Sequence, residues 1–398
     1  MFEQLEMAPA DPILGLSAAF KSNSNPDKIN LGVGVYQDSS GQTPILDSVK
    51  TAEERILANE KSKSYLSIEG SPEYGIAVRK LLLGPEHEIL SCERAVTVQS
   101  PGGTGALRIA GDFLARHYGD RPIWLSEPTW ANHPKIFQAA GLQVETYPYF
   151  DAETNGLNES ALLTALTKIP EGHIVLLHGC CHNPTGEDPD LAQWQTIADL
   201  INEKRVLPLV DIAYQGFGSG IEEDVAGVRL LAAQVSELIL TVSSSKSFGI
   251  YRERAGLLSI IHQKQASGDS LKRKLRDTLR QLYFMAPNHG AAVVHEILSS
   301  QTLEQLWRDE LNAVRHQVVA MRVALKATLE QANPEFDASF IPRQKGMFSC
   351  LPLSEAQQLR MEQQYHIYML PNARVNVAAM SVEQSQALAS AFAGILSE

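Results

Sequence analysis

The chain has 398 residues, of which 44% are apolar and 20% charged, with a formal net charge of −12. That length allows two or three domains, or one large α/β domain with a smaller companion, and the composition is that of an ordinary soluble globular protein rather than a disordered one. The acidic balance argues against nucleic acid as a partner but leaves room for a local basic pocket holding a small anion.

The opening segment MFEQLEMAPADP carries acids where a secretory leader would carry bases, and no uncharged apolar run reaches membrane-spanning length, so a cytoplasmic protein is expected. Residues 11–20 read as a short helix after Pro9, and Ile29 to Tyr36 as a strand broken by Gly32 and Gly34. Those glycines let backbone approach a ligand closely, or simply mark a bend. Thr43 to Glu60 reads as a helix with Val49, Ala52, Ile56 and Leu57 on one face, Tyr65 to Gly70 as a loop, and Pro72 to Leu83 as another helix. Ala95 to Val98 is a strand, and Ser100-Pro-Gly-Gly-Thr-Gly-Ala-Leu107 leads into a helix from Leu107 to Tyr118. A strand, a glycine-rich turn and a helix aim backbone amides at an anion, although a plain tight turn is an equal reading. The spacing lacks both the dinucleotide fingerprint and the P-loop lysine.

Strands are expected at 123–125, 144–147, 174–177, 206–210 and 238–242, alternating with helices that include Leu191 to Lys204 and Asp224 to Ala233. Such alternation implies a doubly wound, mostly parallel sheet with functional residues clustered after the strand ends. From Thr302 to Gln331 apolar residues recur at three- and four-residue steps, giving one long amphipathic helix that bridges two units. Beyond it, 336–341, 346–350 and 373–377 read as strands of a smaller α+β unit closed by a helix from Val382 to Leu396.

Four cysteines, Cys92, Cys180, Cys181 and Cys350, are too few for a disulfide framework. His178-Gly-Cys180-Cys181-His182 invites a zinc reading, but no second ligand cluster accompanies it, so buried reduced thiols and no metal are expected.

The chemistry centres on Ser243-Ser-Ser-Lys246-Ser-Phe-Gly-Ile-Tyr-Arg-Glu-Arg254, which follows the apolar run ELILTV. Hydroxyls and a guanidinium suit a phosphate, and a lysine held beside a phosphate suits a Schiff base with pyridoxal phosphate; the plainer reading of any lysine is a solvated surface group. Asp211 closes the run VLPLV, where a carboxylate can keep a pyridine nitrogen protonated, or merely cap a helix. In HGCCHNPTG, Asn183 can donate to the ring oxygen, while Asn-Pro is also a turn signal. Trp130 can stack on a ring face or pack ordinarily, and Arg374 can clamp a carboxylate or sit at the surface.

Taken together, APADPILGL, HGCCHNPTG, DIAYQGF, SSSKSFGIYRER and ARVNVAAM resemble, in order and over nearly the whole chain, the fold-type I pyridoxal-phosphate aminotransferases of the aspartate and aromatic amino-acid group. The resemblance implies a large cofactor-binding domain over residues 45–313 and a small domain built from 1–44 and 314–398, in a cytoplasmic homodimer with active sites at the interface. It implies that Lys246 bonds to the cofactor and serves as acid–base, that Asp211 pairs with the ring nitrogen with support from His133, that Asn183 and Tyr214 hold the ring oxygen, and that Trp130 stacks on the ring. Gly103, Thr104, Ser243, Ser245 and Arg254 would hold the phosphate, joined by Tyr65 of the other subunit; Arg374, Asn183 and the Gly34 backbone would take the substrate α-carboxylate, and Arg280, across the interface, a distal one. Ser244 stands where the group often has an aromatic residue, and Leu282, Phe284 and Met285 where polar residues are usual, whereas Val35 and Thr43 resemble the aspartate-preferring members. Transamination between aspartate and 2-oxoglutarate is therefore expected, with aromatic amino acids as the alternative. A non-catalytic amino-acid sensor and a nicotinamide-dependent dehydrogenase using PGGTGAL are the rival readings from other classes.

Overall fold

The computed structural model describes residue 2 and residues 12–92, 94–263 and 268–397. The start of the first expected helix at Asp11 and the beginning of the APADPILGL motif lie outside the described residues; the helix is seen from Pro12 to Ser22. A seven-stranded sheet organises the molecule, in the spatial order Ala95–Pro101, Ala255–Ile261, Leu238–Ser243, Leu207–Ile212, Ile174–His178, Ile123–Glu127, Val144–Pro148. All neighbours pair in parallel except Ala255–Ile261, which runs antiparallel to both of its partners. Ile174–His178 and Leu238–Ser243 are buried along their whole length, as continuous apolar strands covered on both faces must be.

Among the described residues, apolar side chains collect into three clusters. Two of them, around Val210, Leu240 and Trp307 and around Leu176, Leu209 and Leu258, cover the two faces of the sheet. The third gathers Ile29, Leu31, Phe340, Val375, Leu388 and Phe392. The 32-residue helix Gln301–Ala332 belongs to two of these cores: Leu303, Trp307, Leu311 and Val318 pack into the first, Leu325 and Leu329 into the third. In its first part, Trp307 stacks on Phe248 at 4.5 Å and donates from Nε1 to the Ser247 carbonyl at 2.7 Å, tying the helix to the lysine loop.

Three expectations need correction. The strand expected over 29–36 shortens to Ile29–Asn30, paired with Ile367–Tyr368, because the Asn376 side chain rather than a neighbouring strand donates to the Val33 and Val35 carbonyls. The strand expected over 336–341 is instead a turn leading into the helical turn Phe340–Arg343, held by Ile341 N–H to Ala338 O and Gln344 N–H to Phe340 O. Its apolar residues pack as a knot, with Phe336 against both Phe340 and Phe392. The helix after the glycine-rich turn begins at Gly102, inside the turn, rather than at Leu107. The Ala255–Ile261 strand and the helices Gly268–Leu282 and His289–Ser299 are additions to the sequence reading.

Candidate active site

Parallel strands bring their carboxyl ends to one edge of the sheet, and a cavity of about 250 Å³ opens there, lined by residues from five post-strand segments and by Gly32, Gly34, Phe348 and Arg374 from outside the sheet. On one side the Ala95–Pro101 strand passes directly into the Gly102–Tyr118 helix, so the unpaired amides of its first turn face the cavity through Gly103 and Thr104. Gly102 sits at φ +71°, and a Cβ there would lie 2.2 Å from Arg254 Nη2, so glycine is what lets the guanidinium close against the turn. Arg254 Nη1 donates to Ser245 Oγ at 3.1 Å and to the Tyr251 carbonyl at 2.9 Å, while Ser243 Oγ accepts the Ser245 amide at 3.3 Å. Amides, two hydroxyls and a guanidinium on one wall are a donor set that suits a phosphate dianion. Ser244 points away from the cradle into the core, where its hydroxyl pairs with Tyr74 at 2.9 Å.

Asp211, next to last in the Leu207–Ile212 strand, lines the cavity and accepts hydrogen bonds from His133 Nε2 at 3.2 Å and Thr241 Oγ1 at 2.8 Å. Burial alone would raise its carboxyl, but the hydrogen bond and charge of His133, the nearby His178 and the Thr241 hydroxyl together hold it below the usual carboxylate range. Behind it the chain continues, His133 Nδ1 meeting Thr129 Oγ1 at 2.8 Å and Thr129 Oγ1 meeting His178 Nε2 at 3.2 Å. Burial pushes His178 down to about 3, so it stays neutral. Trp130 stands edge-on to His133, ring centroids 5.2 Å apart, and lines the cavity.

Lys246 lies half-buried at the centre, its Nζ 5.1 Å from the Tyr214 ring centroid. Burial lowers its pKa from the ordinary lysine value; Asp211 opposes that shift, and Arg254 and Arg374 reinforce it. An amine in that setting is far easier to deprotonate than a surface lysine. The Tyr214 hydroxyl accepts from Asn183 Nδ2 at 3.4 Å, and burial raises its pKa. On the opposite wall Arg374, 6% exposed, donates from Nη1 to Asn183 Oδ1 and from Nη2 to the Gly32 carbonyl, each at 3.1 Å, with its guanidinium 3.9 Å over the Phe348 ring. Its buried Nε has no partner in the protein, which leaves donor capacity for an anionic ligand.

Gly34, Gly103, Thr104, Trp130, Asn183, Asp211, Tyr214, Ser243, Ser245, Lys246, Arg254 and Arg374 thus converge on one cavity. Tyr65 and Arg280 do not line it in the single chain: Tyr65 is 83% exposed and touches Phe284 edge-on, and Arg280 lies exposed near the end of its helix. His178, Tyr251 and Phe348 also line the cavity without having been assigned a role from sequence; the first two stood inside quoted motifs, whereas Phe348 carried no signal. Cys180, Cys181 and Cys350 are buried thiols, with Cys350 raised to about 12 by burial. Cys180, Cys181 and Asp224 bring ligand atoms within 4.8 Å of one another, but both Asp224 oxygens are engaged by the amides of Gly216, Gly218, Ser219 and Gly220.

The doubly wound sheet, with Lys246, Asp211 and Arg254 on one cavity at its carboxyl edge, matches a fold-type I architecture, and comparison with known proteins agrees. The chain belongs to the class I and II aminotransferase family, whose pattern it matches over residues 26–392. It is 45% identical over 396 residues to an aspartate aminotransferase of Escherichia coli (strain K12), covering 100% of both chains. It is 41% identical to an aromatic-amino-acid aminotransferase of Pseudomonas aeruginosa, covering 100% of this chain and 99% of that one. A crystal structure of an aromatic-amino-acid aminotransferase from Burkholderia pseudomallei, covalently bound to pyridoxal phosphate, superposes with a TM-score of 0.96 at 42% identity, covering 100% of this chain and 99% of the other.

Proposed function

We propose that this chain is a pyridoxal-phosphate-dependent transaminase that moves an amino group between L-aspartate and 2-oxoglutarate, with aromatic amino acids as a second donor class. The observation that carries the reading is the convergence on one cavity of a lysine of lowered pKa, an aspartate held ionised by His133, and two arginines, Arg254 and Arg374, in separate hydrogen-bonded settings.

The residues fit the cofactor. Gly103, Thr104, Ser243, Ser245 and Arg254 would hold its phosphate, Asp211 its ring nitrogen, Asn183 and Tyr214 its ring oxygen, with Trp130 against the ring face. Pyridoxal phosphate, when bound, supplies a carbonyl that condenses with amines and a ring that stores electron density. Lys246 serves as the group that takes up and returns a proton, a role its lowered pKa favours. Asp211, ionised, would keep a proton on the ring nitrogen of the bound cofactor, and His133 keeps Asp211 ionised and in place. Arg374, braced by Asn183 and Gly32, takes the α-carboxylate in a bidentate grip, aided by the Gly34 backbone.

The outward placement of Tyr65 and Arg280 supports a homodimer in which each subunit lends these two residues to the other's cavity, Tyr65 toward the phosphate and Arg280 toward a distal carboxylate. Exposed Leu57, Tyr65 and Phe284 supply apolar surface for such an interface. A large domain over residues 45–313 and a small one from 1–44 and 314–398 is consistent with the change of core along the long helix. No described helix is long and apolar enough to cross a membrane, which accords with a cytoplasmic enzyme. The aromatic reading has its own support: Phe284, 42% exposed, lies beside Tyr65, near Leu282 and Met285. A donor panel of aspartate, tyrosine, phenylalanine and tryptophan with 2-oxoglutarate tests the assignment; no transfer from any of them sinks it, and transfer from the aromatic donors alone replaces aspartate as the substrate.

A further inference from the structure

Among the described residues, Arg322 is the largest charged side chain closed off inside the protein, at 2% exposure, and it lies on the long helix between Val318 of the first core and Leu325 of the third. Its guanidinium donates four hydrogen bonds to one stretch of chain: from Nη1 to the Ile341 carbonyl at 3.0 Å and Ser349 Oγ at 2.6 Å, and from Nη2 to the carbonyls of Gly346 at 2.8 Å and Phe348 at 2.7 Å. Burial lowers its pKa only to about 10, so at neutral pH the group is a fixed cation with its donors in a rigid plane. The hydrogen-bond partners are three carbonyls and a hydroxyl. A cation buried at that cost, with both Nη groups bonded to three carbonyls and a hydroxyl of residues 341–349 and its Nε left without a partner, holds that segment in one shape.

What the segment does follows from Phe348. Its ring lies 3.9 Å beneath the Arg374 guanidinium and meets the Tyr214 ring edge-on at 5.8 Å. The same segment is stitched to the post-strand loop that carries Asn183, through Lys345 N–H to the Gly186 carbonyl at 2.7 Å and Cys350 Sγ to the Pro184 carbonyl at 3.5 Å. The Arg374 fork is therefore held by Asn183, by Gly32 and by the Phe348 ring, and the last of these is anchored by Arg322.

We propose that Arg322, which does not line the cavity, is a positioning residue for α-carboxylate recognition: by fixing residues 341–349 it sets the aromatic face on which Arg374 lies. The inference rests on the reading of Arg374 as the α-carboxylate site. The test compares pyridoxal-phosphate-loaded wild type with Arg322→Lys, Arg322→Met, Ser349→Ala and, as a control on that reading, Arg374→Lys. Two carboxylate probes without an amine, maleate and 3-phenylpropionate, are titrated calorimetrically, and whichever binds wild type is used. Arg322→Lys is expected to weaken the probe by about tenfold and to raise KM by a similar factor with kcat changed less than about threefold, since the grip on the carboxylate is common to ground and transition states. Arg322→Met should weaken it further, while cofactor affinity falls by clearly less than probe affinity because the phosphate cradle does not involve this segment. Probe affinity unchanged in a folded Arg322 variant overturns the proposal, as does a loss of cofactor affinity as large as the loss of probe affinity. If neither Arg322 variant folds, Ser349→Ala decides: a loss of about threefold or more in probe affinity supports the proposal and no loss overturns it. Unchanged probe affinity in Arg374→Lys overturns the underlying carboxylate reading itself.

Discussion

His133 Nε2 stands 3.2 Å from Asp211 Oδ2, inside the protein and directly behind the cavity wall. A histidine packed at 0% exposure cannot reorient, so the carboxylate it meets is fixed in direction as well as charge. Asp211→Asn removes that charge while keeping the shape, and is expected to lower kcat by about 10²- to 10³-fold, the usual loss when a preorganised electrostatic partner is deleted. His133→Asn should cost much less, about tenfold, because Thr241 still donates to the carboxylate. Single-turnover kinetics of the two variants checks the order; equal losses would contradict it.

Gly102 gives a prediction about cofactor affinity rather than chemistry. At φ +71°, with Arg254 Nη2 only 2.2 Å from where a Cβ would sit, Gly102→Ala must displace the guanidinium or bend the turn. Pyridoxal phosphate should then bind at least about tenfold more weakly, whereas inhibition by a simple dicarboxylate at the Arg374 side stays near wild type. Fluorescence titration of the apoprotein measures the first quantity directly.

Glu187 sets a pH dependence of stability. Burial raises its carboxyl from 4.5 to about 7, Asp188 adds to the rise, and Arg343, Arg322 and Lys345 oppose it without cancelling it. A carboxyl whose folded pKa lies above its unfolded value binds its proton more tightly when folded, so its contribution is complete below about 4.5 and is lost as pH rises through about 7. Relative to Glu187→Gln, wild type should therefore lose Tm between pH 5 and pH 8. Thermal unfolding of both proteins at these two pH values is the check, and a constant difference between them would contradict the assignment.

Much of this architecture was legible in the sequence because short apolar runs ending in Asp211, His178 and Ser243 are what buried parallel strands require, and their carboxyl ends must share one edge of the sheet. The long helix and the helices Pro72–Leu83 and Val382–Leu396 followed from apolar periodicity alone. Phe348 was not legible, since its role depends on Arg374 and Tyr214 lying against it after folding, and periodicity says nothing about such meetings. The mistaken strand at 336–341 has the converse cause: apolar Phe336, Ala338 and Phe340 alternate as a strand would, but tertiary packing against Phe392 turns the backbone there instead. Leu271, Leu275, Leu279 and Leu282 do recur at helical spacing in Gly268–Leu282, so that helix was readable but hidden by its many charges. The parts assigned to Tyr65 and Arg280 came from resemblance alone, and both side chains point outward from the single chain.

Arg280 bears on substrate choice. In the proposed dimer its guanidinium meets the distal carboxylate of a dicarboxylic substrate. Arg280→Ala should therefore lower kcat/KM for aspartate by about 10- to 100-fold and that for phenylalanine by less than about threefold, the difference being one charge-assisted pair. Equal losses with both donors would remove Arg280 from the recognition of the second carboxylate.

The central claim is that Lys246 is the residue that joins the cofactor, and peptide mapping after borohydride reduction of the pyridoxal-phosphate-loaded protein tests it most directly. The phosphopyridoxyl mass should appear on the peptide that contains Lys246 and vanish in Lys246→Ala together with turnover. Label on other lysines only, or a Lys246→Ala protein that still transfers the amino group at the wild-type rate, would contradict the account.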